Sequence, residues 1–166
     1  MLNRRSAMLL LSATAAAPTL ALAKTPWEIM WEDLIPPNTP YSEIIEQGEF
    51  DITNDSWNPV YDANGIKVNE ELNGAYVRLP GFIIPFEVSS EGVSDFMLVP
   101  YVGACIHTPP PPANQLVMVS AKDPWPEDQL WDPVWVIGTM RTQLQATELG
   151  EVGYSITADE MEVYEW

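Results

Sequence analysis

The sequence predicts an all-β fold: a small antiparallel, oligonucleotide-binding-like barrel preceded by a turn-rich N-terminal strap with one or two short helices. Three observations carry this. Short apolar runs recur through residues 72–166, each ended by a turn signal. Sixteen prolines in 166 residues argue against a helical bundle, because each removes a backbone donor and fixes φ. Closure into a barrel would hide the strand edges that a chain of this size otherwise exposes. No helical pattern separates the third run from the fourth, so the barrel is expected to be a modified one.

The first segment is an export signal on its pattern. Arg4 and Arg5 form a positive n-region, residues 7–20 an apolar stretch, and Ala21-Leu22-Ala23 a small-x-small cleavage site. Ser12, Thr14, Pro18 and Thr19 interrupt the apolar stretch, whereas a membrane span needs about 20 predominantly apolar residues. Cleavage after Ala23 is expected to free a mature chain beginning at Lys24 in the periplasm, with no membrane span. The Arg4-Arg5 pair also fits a twin-arginine signal. No cysteine stands at the cleavage site to carry a lipid.

Residues 24–71 read as the strap, broken by Pro26, Pro36-Pro37, Pro40, Pro59 and Gly65. Short helices are expected at residues 27–31, where Trp27, Trp31 and Leu34 recur at helical spacing, and at residues 42–47. There Ser42 would be the N-cap and Gly48 the stop. Residues 72–166 read as the barrel domain. Residues 75–88 form a long apolar run punctuated by Pro80-Gly81 and Pro85, as in a bent or bulged strand pair. Further strands are expected at residues 95–101, 115–120, 134–140, 154–158 and 162–164.

Composition excludes several functions. Twenty-four acidic residues against seven basic ones give a formal net charge of −17, which repels phosphate backbones and anionic headgroups. A single cysteine excludes an internal disulfide framework, a four-cysteine zinc site and a CxxC motif. There is no GxSxG elbow, phosphate-binding glycine loop or HExxH.

The stretch Gly103-Ala104-Cys105-Ile106-His107-Thr108 holds the only cysteine and the only histidine, and Pro109, Pro110, Pro111 and Pro112 follow at once. In an extended backbone, residues two apart share a face, so sulfur and imidazole could converge on one site stiffened by a polyproline segment. Three readings stand side by side. Cys105 and His107 could ligate zinc or copper, with a carboxylate, a water or a second subunit completing the site and Asn114 and Gln115 orienting the ligands by hydrogen bonds. They could be a buried hydrophobe and a satisfied core histidine. Or Cys105 could be a nucleophile with His107 as base, against which the surrounding negative charge argues. The four prolines could instead dock on a partner's aromatic groove or brace a loop. Trp125, Trp131 and Trp135 with Tyr101 could line a ligand groove, although such aromatics are more often core.

The runs LPGFIIPFE at residues 79–87, FMLVPYVGACIH at residues 96–107 and PPPPANQ at residues 109–115 together resemble the bacterial domain-of-unknown-function 3299 family. A WEDLIP element at residues 31–36 and VWVIGT at residues 134–139 extend the likeness. The resemblance brings no established activity. It implies an exported protein linked to envelope ABC-transporter components under zinc-responsive control, and hence a zinc reading of Cys105 and His107. The expectation is a periplasmic, non-enzymatic accessory or binding protein, with zinc the candidate metal and an envelope transporter the candidate partner. A partner-binding module without metal is the alternative, and a thiol-dependent enzyme stands third.

Overall fold

The computed structural model describes residues 24–51, 56–102, 110–147 and 150–165. Eight strands follow one another: β1 (Trp27–Glu28), β2 (Ile44–Asp51), β3 (Ser56–Tyr61), β4 (Tyr76–Pro85), β5 (Val93–Val99), β6 (Val117–Trp125), β7 (Val134–Thr147) and β8 (Gly150–Val163). Helical structure among the described residues consists of short 3-10 turns at Trp31–Leu34, Glu70–Leu72, Ala113–Gln115 and Glu127–Gln129.

Five strands close a barrel in the order β4-β5-β6-β8-β7, with β7 returning to β4. All neighbours are antiparallel except β6 and β8, which run parallel from Val117↔Tyr154 to Ala121↔Ala158. This is the expected oligonucleotide-binding-like barrel, and a single 3-10 turn, Glu127–Gln129, stands in the connection between its third and fourth strands.

The run through Pro80-Gly81 is one bent strand rather than a pair. Residues 76–81 pair with β7 and residues 82–85 with β5, so β4 serves both neighbours by curving between them. Gly81 makes the curve possible: a Cβ there would lie 2.8 Å from Leu98 Cγ and 2.8 Å from the Val99 carbonyl oxygen. The Pro80 carbonyl still accepts a bond, from Trp31 Nε1 at 2.8 Å.

The strap differs more from expectation. Residues 42–47 do not form a helix. From Ile44 the chain is strand β2, paired antiparallel with β3, as its two adjacent isoleucines favour. Gly48 takes φ +71° where the pairing register shifts between Glu46 and Glu49, so it supports a bulge and stops no helix. Trp27 and Glu28 pair parallel with Val77 and Arg78, and helical geometry begins only at Trp31 as a 3-10 turn. The helical spacing of Trp27, Trp31 and Leu34 is therefore not a helix face: Trp27 is exposed, while Ile29 and Leu34 enter the core.

Ile29 and Leu34 from the strap join Leu72, Val77, Phe96, Val119, Met140 and Ile156 in one core. A second apolar cluster lies around Met97, Val99, Leu116 and Val152. Phe96 and Leu98 alternate with Met97 and Val99, so β5 is buried on both faces. Among the described residues no helix is long and apolar enough to cross a membrane.

Candidate functional site

The stretch leading into β6 makes a 3-10 turn over Ala113–Gln115, entered from an extended Pro112. Two amide side chains project from it, both almost fully buried at 2% for Asn114 and 3% for Gln115. Asn114 Nδ2 donates to the carbonyls of Asn64 at 2.9 Å and Lys67 at 3.0 Å, while its backbone N–H donates to Gly65. Gln115 Nε2 donates to the carbonyls of Trp31 at 3.0 Å and Asn114 at 2.9 Å. The donors expected to orient metal ligands thus tie the strap's loops to the barrel.

The loop so held carries its own carboxylate. Asp62 Oδ1 accepts from Ser42 Oγ and from the Asn64 backbone N–H, each at 2.8 Å. These bonds, the Asn64 one foremost, hold the Asp62 carboxyl below the usual range. Ser42 is therefore a buried partner of Asp62 instead of a helix cap.

Between this loop and the proline segment lies a groove of about 340 Å³. Tyr61, Asp62 and Ile66 line one side, Pro110 to Pro112 another, and Glu151 of β8 a third. The Tyr61 hydroxyl donates to the Pro110 carbonyl at 2.8 Å. Burial, with repulsion from Tyr41 and Tyr101, pushes the Tyr61 phenol up to about 12. Tyr41 is raised by burial and by Tyr101 in the same way. Pro111 and Pro112 are buried and Pro110 is half-buried, and all three form part of the groove wall.

Cys105, His107 and Pro109 lie outside the described residues. The chain on either side of them is described: Tyr101 repels the Tyr61 phenolate, and the Pro110 carbonyl accepts from Tyr61. Among the described residues no three His, Cys, Asp or Glu side chains gather as a metal-holding group. Of the aromatics read as a possible groove, Trp125 is buried with its indole N–H on the Gln129 carbonyl, and Trp135 lies beneath Arg78. Trp131 is 80% exposed, and Tyr101 is exposed too, acting on Tyr61 by electrostatic repulsion without lining the groove. Tyr41, Tyr61, Asp62 and Glu151 escaped the sequence reading, since they come from separate elements and form no motif.

A family model described as a protein of unknown function, DUF3299, matches residues 31–163. The crystal structure of a DUF3299 family protein from Pseudomonas aeruginosa is similar at 34% identity and a TM-score of 0.69, covering 86% of this chain and 99% of that one. Comparison with the curated proteins gives no match.

Proposed function

This chain belongs to the DUF3299 family of proteins of unknown function, and from that premise we propose that it is a non-enzymatic binding protein of the periplasm whose working surface is the groove between Tyr61 and the proline segment. The observation that carries the reading is the bond from Tyr61 to Pro110. It anchors the chain three residues after His107 against a groove that has carboxylates in its wall.

Zinc is the ligand we assign. Cys105 and His107 offer a thiolate and an imidazole, the donors that zinc favours. Of the two lining carboxylates, Asp62 is already engaged by Ser42 and Asn64. Glu151 is exposed and is the one we assign to complete the set with water. Bound zinc would supply a charged, exchangeable centre, which suits an accessory protein that meets an envelope transporter by diffusion.

The second reading, a partner segment in the groove without metal, is favoured by the apolar wall of Ile66, Pro111 and Pro112. Zinc titration of the mature chain separates the two. Near-stoichiometric uptake, lost in Cys105→Ser with His107→Ala and weakened in Glu151→Gln, supports the metal reading. Equal uptake by wild type and the double variant overturns it. Co-purification of an envelope protein that survives a chelator but is lost in Ile66→Glu supports the second.

A further inference from the structure

The parallel pairing of β6 with β8 ends at Ala121 and Ala158, and beyond it the strands part. β6 swings back to β5, where Trp125 pairs with Val93 across a register shift. β8 passes the irregularity between Ala158 and Glu160 and continues to Val163, pairing with β7 alone. Among the described residues no strand pairs with the other edge of β8 over residues 159–163. The connection that follows β6 offers only the three-residue turn Glu127–Gln129 to cover this end.

The parted strands enclose a groove of about 280 Å³. Trp125 and Met161 give it apolar surface, Pro124 and Pro126 flank it, and Asp123, Asp159 and Glu160 supply carboxylates against the single cation Lys122. An unpaired strand edge presents alternate N–H and C=O groups to any extended chain laid along it. Five residues of β8 offer roughly 16 Å of edge, enough for a segment of four or five residues at strand rise.

We infer that this seam receives an extended, basic segment of a partner protein, which adds a strand beside β8. Main-chain bonds to residues 159–163 give the affinity, and side chains alternating along the segment give the selectivity. Lysine or arginine side chains meet Asp123, Asp159 and Glu160, while apolar ones between them face Trp125 and Met161. Charge selects this occupant over a second copy of the chain, because two copies at −17 each repel. The seam is separate from the Tyr61 groove and does not depend on zinc there.

The test uses the full mature chain and a fluorescein-labelled peptide of alternating lysine and valine, with a glutamate-valine peptide as control. Binding is read by anisotropy, and amide protection by hydrogen exchange. The lysine peptide should bind, the glutamate peptide should not, and protection should rise at residues 121–125 and 159–163. Asp159→Asn with Glu160→Gln should weaken binding roughly tenfold, while Glu43→Gln just before β2 with Glu46→Gln on it should leave binding unchanged. Equal weakening by both pairs, or binding without protection at the seam, would reduce the effect to adsorption on an acidic surface and overturn the inference. Seam protection that grows with protein concentration in the absence of peptide would assign the edge to a second copy, which also overturns it.

Discussion

Gln115 and Trp31 are joined across 84 residues of sequence: the buried side-chain amide of one donates to the main-chain carbonyl of the other at 3.0 Å. The bond comes from the turn before β6 and reaches the first turn of the strap. Asn114 beside it does the same for the loop at Asn64 and Lys67. The strap is thereby held on the barrel by side chains whose neighbours line the candidate groove.

Replacing Gln115 by leucine should leave the carbonyls of Trp31 and Asn114 without that donor in a buried site. Loss of a buried partner costs about 1–3 kcal/mol. Urea unfolding should show a lower midpoint with little change in slope, and Asn114→Leu should behave alike. Unaltered midpoints would show that these bonds do not hold the strap on the barrel.

Tyr154 makes a comparable junction. Its buried hydroxyl donates to the Leu34 carbonyl and accepts from the Asn69 backbone N–H. Burial, with some repulsion from Glu70, pushes the phenol up from 10.0 to about 12. Between these values the folded chain keeps a proton that the unfolded chain has lost, so stability should fall as pH rises through that window. Tyr154→Phe should cost about 1–3 kcal/mol near neutrality and make the alkaline fall shallower. Tyr61, also raised to about 12, and Tyr41 and Tyr76, both raised by burial, should retain the remainder. Denaturation midpoints at graded pH, compared between wild type and variant, check both statements.

The barrel was legible because its signal is local. Phe96, Leu98, Val117 and Val119 announce strands by type and spacing, and turn residues mark their ends. The strap was not, because Ser42 and Gly48 are as good at helix ends as at a buried hydrogen bond and a bulge. What decides between these is Asp62, twenty residues away, and the pairing of Ile44 with Tyr61. Candidate-site residues divide the same way. Asn114 and Gln115 stood in a visible motif, but their partners are main-chain carbonyls, which carry no sequence signature. Tyr61 and Glu151 meet only after β3 and β8 are placed.

Arg78 is held on the outside of the barrel between opposites. Its guanidinium stacks over Trp135 at 4.0 Å from the ring centroid, with Glu28 and Glu162 each 3.8 Å away. Both ion pairs are long and half-exposed, so packing on the indole should contribute more than charge pairing. Arg78→Ala should cost about 1–2 kcal/mol, and Arg78→Lys should recover less than half, since an ammonium cannot lie flat on the ring. Double-mutant cycles with Trp135→Leu and with Glu28→Gln should find the larger coupling for the tryptophan. A larger coupling to Glu28 would reverse that ranking.

The Tyr61 hydroxyl links the hairpin of β2 and β3 to the proline segment, so its removal should be felt at the residues that precede Pro110. The bond to the Pro110 carbonyl is neutral and half-buried, and such a bond contributes about 0.5–1.5 kcal/mol. If that free energy holds the segment against local opening, Tyr61→Phe should raise the open population roughly two- to thirteenfold. Cys105 lies five residues before Pro110 and reports the opening by its rate of alkylation with iodoacetamide near neutral pH. The variant should label faster by that factor while its urea midpoint falls only slightly, and zinc should slow labelling in both proteins. Equal labelling rates would uncouple Tyr61 from the cysteine and remove the observation on which the zinc reading of the groove depends.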